Sequence, residues 1–273
     1  MSSIVVRRPV FGIRAEAIRA QNDNATIDAA FFAAFSATFP DGEAFFVRSV
    51  RRFAHKVSPK LAADVTAFAT QEAHHAGEHR AFNAVAETCG FDLAPIAEDS
   101  RRHLAIAEKK SPERRLATTL ALEHFTAIFA REVLSNPQHL AFLDPQSRQM
   151  WRWHALEEIE HKAVAFNVFE AITAEWSPLR RWATRSWALI DGLARVGAVM
   201  WRGMRRLQPQ KSRWLLLAYL FVSPGPVRAI ALDLLSFFRP GFHPNDHDDT
   251  ALIAPVAAEV ASLNEKELHK IPA

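Results

Sequence analysis

Residues 153–169 read WHALEEIEHKAVAFNVF and combine a helical apolar pattern with a high density of Glu and His. Alternating steps of four and three residues select an apolar stripe, and His154, Glu158 and His161 interrupt its middle. Side chains spaced three and four residues apart lie on one helix face. The pattern therefore predicts a helix that presents a Glu-x-x-His pair, Glu158 and His161, to a buried core.

Three other segments carry the same kind of stripe, apolar except in its middle. One repeats the pair as Glu72 and His75, and the other two each supply one carboxylate, Glu43 and Glu123. Two single carboxylates and two Glu-x-x-His pairs on four helices form the ligand set of ferritin-like dinuclear bundles. We therefore predict an all-α fold, a ferritin-like four-helix bundle with a C-terminal helical extension.

Capping signals divide the chain into these segments. Ser-Pro or Asp-Pro pairs at 58–59, 111–112 and 144–145 place an N-cap before a first-turn proline. Pro40-Asp41-Gly42 is expected to interrupt the first helix, and the fourth is expected to end near Ser177-Pro178. We predict an irregular or extended N-terminal arm at 1–24, the metal-binding bundle at 25–177, an Arg- and Trp-rich helical extension packed on it at 178–250, and a C-terminal tail at 251–273.

The four carboxylates are predicted to meet at one level of the bundle. Glu43 lies about 14 residues before the end of its predicted helix, and Glu72 about 13 after the start of the next, roughly 20 Å in each case. Glu123 and Glu158 match within a turn. Unpaired buried carboxylates are costly, and no Lys or Arg lies near them on these stripes. We therefore predict two divalent ions, most readily iron, with manganese and zinc as alternatives. The predicted ligands are Glu43, Glu72, His75, Glu123, Glu158 and His161.

Two more imidazoles lie on the same stripes, one turn from a predicted ligand. His79 follows His75, and His154 precedes Glu158. They could be extra ligands, donors to the ligands, general acid–base groups, or ordinary core histidines. We assign both as candidate catalytic residues. Four neighbours fall off the stripe and are expected to be solvated or behind the ligands, with Glu157 replacing Glu158 if the register shifts by one; they are His74, His124, Glu157 and Glu160.

Composition excludes several other classes of protein. The chain has 273 residues, of which 49% are hydrophobic and 23% charged, which is typical of a globular protein. Only 9 Gly argue against a β-sandwich or a Rossmann fold, and a net charge of +3 does not indicate nucleic-acid binding. The single Cys89 excludes an intramolecular disulfide and fits a reducing compartment. With no apolar signal region in residues 1–14, we expect a cytoplasmic protein.

Residues 178–213 differ from the bundle because eight Arg and one Lys oppose a single acid, Asp191. Trp182, Trp187 and Trp201 are interleaved with these charges. Basic, Trp-bearing helices can lie on anionic membrane surfaces. We therefore expect residues 178–238 to contact such a surface, at the inner face of the membrane, or alternatively to pack over the bundle with Arg outside. No nucleic-acid partner is expected, and a homodimer is left open.

The sequence also resembles a known family, the bacterial predicted metal-dependent hydrolases, which are ferritin-like helical proteins. The resemblance spans residues 39–249 and is carried by five stretches: PDGEAFFVRSVRRF, QEAHHAGEHRAFN, LEHFTA, WHALEEIEHKAVAFNVF and RPGFHPNDHDD. It implies a metal site on the six ligands already found, and it makes residues 25–250 one family unit.

Three functions remain open at this stage. The first is a di-iron enzyme that oxidises a small apolar substrate with O₂, because Phe-rich walls surround the predicted centre. The second is a metal-dependent hydrolase, in which two ions lower the pKa of a bound water. The third is a non-catalytic protein for metal storage or a membrane-associated structural module.

Overall fold

The computed structural model describes residues 4–23 and 26–268, and the regular structure of those residues is entirely helical. The remaining positions of the predicted arm, bundle and tail, 1–3, 24–25 and 269–273, lie outside the described residues. The all-α prediction is confirmed. The helices are α1 (Ala15–Asp23), α2 (Ile27–Ser36), α3 (Phe39–Arg51), α4 (Pro59–Thr88), α5 (Ala94–Glu108), α6 (Pro112–Ser135), α7 (Pro145–His161), α8 (Val164–Ile172), α9 (Pro178–Leu207), α10 (Arg213–Phe221), α11 (Pro226–Leu235) and α12 (Thr250–Leu268).

The long helices begin where the capping signals predicted. The side chains of Ser58, Ser111 and Asp144 each accept a hydrogen bond from a backbone N–H in the first turn of α4, α6 and α7. Ser177, which was expected only to end the fourth helix, caps α9 in the same way. A proline follows each cap, where the missing N–H has no partner to lose. These starts are local properties of the sequence, so the prediction was reliable.

Two predicted boundaries were wrong. The first helix breaks at Ala37 and Thr38 rather than at 40–42, because Pro40 is accommodated in the first turn of α3. The fourth helix is not continuous to Ser177, because it turns after His161 and restarts as α8. At that turn the Lys162 ammonium donates to the Asp249 carboxylate at 2.6 Å, so a distant segment holds the break in place.

The N-terminal arm is more ordered than expected. Residues 15–23 form α1, which packs on α4 and buries Ile18, so the expectation of an irregular or extended segment fails there. Before α1, Phe11 is buried and packs against the Trp153 ring, with centroids 5.4 Å apart. The arm therefore adds to the core beside α7.

The helices α3, α4, α6 and α7–α8 pack on one another and hold the predicted site residues between two apolar clusters. Each of the four helices contributes apolar side chains to both clusters, and its site residues lie near the boundary between them. In each of the flanking pairs, the first residue belongs to one cluster and the second residue to the other. The flanking pairs are Phe39 and Phe46, Phe82 and Phe68, Ile128 and Leu120, and Leu156 and Val164. The Glu and His side chains thus form a polar layer inside an otherwise apolar core.

Residues after α8 cover this core. Helix α9 packs on α2, α5 and α6, α11 packs on α6, and α12 packs on α7. Among the described helices, none is by itself long and apolar enough to cross a membrane. Arg213–Phe221 and Pro226–Phe238 meet the length and composition requirement only together, as a pair bent by 48°.

Candidate metal centre

The eight predicted site residues are all buried and lie in one contiguous cluster. None exceeds 5% exposure, although carboxylates and imidazoles normally stay at least partly solvated. They come from α3 (Glu43), α4 (Glu72, His75 and His79), α6 (Glu123) and α7 (His154, Glu158 and His161).

His161 joins carboxylates from three helices. Its Nε2 lies 3.2 Å from Glu72 Oε1, 3.5 Å from Glu123 Oε2 and 3.5 Å from Glu158 Oε1. His161 is the last residue of α7, directly before the turn that separates α7 from α8.

Glu158 also contacts the imidazoles of His154 and His75. Its Oε1 lies 2.9 Å from His154 Nε2 and 3.6 Å from His75 Nδ1. His154 Nε2 also lies 3.6 Å from Glu43 Oε1, which brings α3 into the same group. The cluster therefore extends across four helices without an intervening apolar side chain.

Four overlapping triads in this cluster could hold a metal ion, since each offers ligand atoms within 4.8 Å of one another. Shared members link the triads, as expected where carboxylates bridge two ions. The triads are Glu72, Glu123 and His161; Glu43, Glu72 and His75; His75, His154 and Glu158; and Glu43, His79 and His154.

The carboxylates lack the hydrogen bonds that buried oxygens require. Within the described residues, both oxygens of Glu43, Glu72 and Glu123 and one oxygen of Glu158 have no hydrogen-bond partner. Leaving one buried polar group unpaired costs about 1–3 kcal/mol, and more if it is charged. A concentration of such oxygens beside imidazoles fits divalent cations as the missing partners.

The electrostatics of the cluster also fit cations. Burial, reinforced by neighbouring carboxylates, raises the pKa values of Glu43, Glu72 and Glu123 well above their ordinary value. Burial works against the ionised form of Glu158, yet His161 and His154 hold its pKa well below the ordinary value. A divalent ion would relieve this repulsion and keep all four carboxylates ionised.

The hydrogen bonds behind His75 orient it toward the cluster. Its Nε2 lies 3.1 Å from Glu157 Oε2, so the ring donates this N–H to a carboxylate and leaves the Nδ1 lone pair facing Glu158. Burial lowers the pKa of His75, which favours the neutral, metal-binding form. Glu157 therefore lies behind a predicted ligand and does not replace Glu158.

A second chain of hydrogen bonds fixes His79 and His154. The Asn83 amide nitrogen donates to Ser36 O at 3.1 Å, so its oxygen accepts from the Ser36 hydroxyl at 2.6 Å. His79 Nδ1 must then donate to Ser36 Oγ at 2.8 Å, and His79 Nε2 must accept from His154 Nδ1 at 2.7 Å.

In its neutral form His154 would therefore direct a lone pair on Nε2 at the oxygens of Glu158 and Glu43, 2.9 and 3.6 Å away, where a cation could lie between them. Without metal, a protonated His154 would instead donate this N–H to Glu158, one of the interactions that lower the pKa of that carboxyl. His154 is thus oriented as a further metal donor, whereas His79 is positioned to hold the tautomer of His154.

The other residues predicted to lie off the stripe are directed away from the triads, but His124 is neither solvated nor behind a ligand, because it is buried among aromatic rings. Glu160 forms two 2.7 Å hydrogen bonds with Arg7, and His74 Nδ1 lies 3.1 Å from the Arg7 carbonyl. His124 packs on the rings of Phe237 and Phe242. These contacts place all three outside the candidate metal-binding triads.

Sequence reasoning missed three supporting residues, Arg7, Ser36 and Asn83. Arg7 also lies 3.4 Å from Glu157, 150 positions further along the chain, and no periodic pattern could indicate such a contact. Asn83 follows His79 by one helical turn, which was the available signal. Ser36 ends α2, outside the stripes that were compared.

A small cavity lies beside the cluster. Its volume is about 20 Å³, enough for one water-sized molecule, and it borders His154 and Glu158. Most of its wall is aromatic or aliphatic, and includes Phe35, Phe39 and Trp151.

The fold and the cluster together define an all-helical protein with buried Glu and His groups that can bind metal ions. The chain belongs to the family described as predicted metal-dependent hydrolase, whose family model matches residues 5–248. This confirms the family resemblance deduced from the five sequence stretches. Neither a curated protein nor a solved structure was found to match the chain.

Proposed function

We propose that the four helices form a ferritin-like bundle around two iron ions and that the protein oxidises a small apolar substrate with O₂. The observation that carries this proposal is the set of unpaired carboxylate oxygens from four helices, gathered around His161 and His154. Residues Glu43, Glu72, His75, Glu123, Glu158 and His161 would hold the ions, with His154 as an additional donor.

Bound ferrous ions would supply the electrons for O₂ reduction, a reaction that amino-acid side chains do not perform alone. The protein's own contribution is to orient the donors and to exclude water. Glu157 fixes His75, and the Asn83–Ser36–His79 chain fixes His154.

The small cavity supports an apolar, diatomic-sized reactant. It borders Glu158 and His154 directly, and Phe39 stacks on His79 with centroids 4.5 Å apart. The aromatic part of the wall favours O₂ over a polar hydrolytic substrate at this position, because an apolar surface offers a polar molecule few hydrogen bonds.

The test is to load the chelated protein anaerobically with Fe(II) and then to admit O₂ while uptake is recorded. We expect about two irons per chain and rapid O₂ consumption. Glu123→Gln should lose bound iron and uptake together, while Glu87→Gln, an exposed change on α4, should retain both. A variant of Glu123 that binds and reacts like the wild type would contradict the proposal.

Hydrolysis is the second candidate, favoured by the family description. Bound zinc or manganese would lower the pKa of a water molecule, and the His154–His79–Ser36 hydrogen bonds could carry its proton away. Ester or phosphoester cleavage by the zinc- or manganese-loaded protein, without O₂ uptake, would favour this function. Binding of metal without either activity would favour the non-catalytic alternative.

A cytoplasmic location at the inner membrane face remains a proposal, as does homodimer formation. Trp187, Trp214 and Leu232 are 68%, 81% and 81% exposed, which supports contact with lipid through residues 178–238. Several arginines of α9 are, however, already paired with acids, such as Arg202 with Asp99 at 2.7 Å. Flotation with anionic and neutral liposomes tests membrane contact, and sedimentation tests the dimer.

A further inference from the structure

A second, larger cavity lies between α9, the α10–α11 pair, α2 and α6. Its volume is about 330 Å³, within the range of about 300–1,000 Å³ usual for small-molecule sites. In the described part of the chain its lining is entirely apolar. Its lining follows α9 from Leu193 to Trp201, about 12 Å of helix.

One wall of this cavity is shared with the small cavity beside the metal centre. Phe35 and Phe129 line both the large cavity and the small cavity beside His154 and Glu158. Their rings pack edge to face with centroids 5.2 Å apart, and the Phe35 ring also packs against the Phe39 ring with centroids 4.6 Å apart. Phe39 in turn contacts His154 at 4.6 Å. The aromatic rings of Phe35 and Phe129 therefore form a wall common to the two cavities.

The surface next to the cavity at Trp201 is basic. Trp201 borders both the apolar cavity and a surface depression lined by four arginines, Arg202, Arg205, Arg206 and Arg213. Two of these are neutralised by ion pairs of 2.7 Å, Arg202 with Asp99 and Arg206 with Asp92. Within the described residues, Arg205 and Arg213 form no ion pair, so their charge is available to an anion.

We propose that this cavity binds the aliphatic chain of a single-chain anionic amphiphile, with its head group at Arg205 and Arg213 and its chain directed toward Phe35 and Phe129. An apolar cavity that adjoins unpaired arginines at Trp201 suits a molecule with an apolar chain and an anionic head group. Its volume suits one chain rather than the two of a phospholipid. The amphiphile can be the substrate only if the proposed function is correct. Binding of the amphiphile in this cavity does not depend on that function.

Gly197 provides a direct test of occupancy. It lines the cavity, and a Cβ added there meets no atom within 4 Å, so a larger side chain would grow into the empty space. Gly197→Phe should fill the cavity, and Gly197→Ala is the matched control because it adds one methyl group at the same position. Circular dichroism and thermal unfolding would check that both variants fold.

The measurement is calorimetric titration of the chelated, full-length protein with dodecanoate below its micellar concentration. Gly197→Phe should weaken binding by at least about tenfold, because the phenyl ring would occupy the volume that the chain needs, whereas Gly197→Ala should bind nearly as the wild type does. If folded Gly197→Phe binds dodecanoate as tightly as the wild type, the chain does not occupy this cavity and the proposal is overturned.

The head group is tested separately. Arg205→Gln combined with Arg213→Gln should weaken dodecanoate binding by about twofold to tenfold and leave dodecanol binding unchanged, because only the carboxylate uses these charges. Arg51→Gln is the control, because Arg51 is exposed on α3 and lines neither the cavity nor the depression. An equal loss for dodecanoate and dodecanol would contradict the assignment of the anionic end.

Two further measurements separate related explanations. Anionic vesicles present the same head-group charge on lipids with two chains. Gly197→Phe should leave binding of the protein to these vesicles unchanged, although it weakens binding of dodecanoate. Equal sensitivity of both ligands would overturn the single-chain assignment. Because all binding is measured without metal, dodecanoate binding without O₂ uptake on iron loading would refute the oxidase function alone.

Discussion

Replacing Glu72 by Gln should stabilise the metal-free protein, although Glu72 lies in the centre of the core. Glu72 is 0% exposed, and neither oxygen has a hydrogen-bond partner among the described residues. Burial, followed by repulsion from Glu123 and Glu158, raises its pKa well above the ordinary value of 4.5. Without metal, the folded chain must therefore either keep an unpaired charge or take up a proton.

The cost of that choice can be bounded. Protonating a carboxyl of ordinary pKa 4.5 at pH 7 costs at most about 3.4 kcal/mol, because each pH unit above the pKa adds about 1.4 kcal/mol. Gln has nearly the same shape and carries no charge, so the variant should gain up to about 3 kcal/mol. For a domain of this size, the gain corresponds to a Tm increase of up to about 6–12 °C.

The assay is thermal unfolding of the chelated proteins, with Glu87→Gln on the same helix as an exposed control that should change Tm little. A raised folded-state pKa gives a stability contribution that is present at low pH and lost as pH rises. The Tm advantage of Glu72→Gln should therefore widen between about pH 5 and about pH 7. With metal present the order should reverse, because the variant lacks a ligand.

The contrary outcome is equally clear. If chelated Glu72→Gln melts at or below the wild-type temperature while Glu87→Gln is neutral, the carboxylate of Glu72 is satisfied without metal. The electrostatic argument for cations in this cluster would then fail with it.

Three other predictions follow from named contacts. Glu157→Gln should weaken metal binding by about tenfold to a hundredfold by loosening His75, as measured by competition with a chelating indicator, while the fold remains intact. Arg7→Ala should destabilise the protein by about 3 kcal/mol in denaturant unfolding, because buried Glu157 loses its cation; exposed Arg8→Ala should not. Gly203→Val should lower Tm, because a Cβ there lies 3.1 Å from Ala34 Cβ, and an unchanged Tm would show that α9 and α2 can separate freely.

The stripes and the helix starts could be predicted because both depend on neighbours along one helix. A Glu-x-x-His pair lies on one face wherever a helix forms, and a Ser-Pro pair caps a helix with its own first-turn N–H groups. The six candidate ligands and the presence of a polar layer therefore followed from residue spacing alone. The same reasoning placed His79 and His154 at the layer without distinguishing their roles.

Contacts between distant segments decided the rest. The turn after His161 depends on Lys162 meeting Asp249, and the tautomer of His154 depends on Ser36 and Asn83. The amphiphile cavity exists only because α9 and the α10–α11 pair close over Phe35 and Phe129. Periodicity indicates which face of a helix is buried, but it does not indicate which other helix covers that face. In this protein, the covering helices determine the directions of the hydrogen bonds to the site histidines and the shape of the apolar cavity.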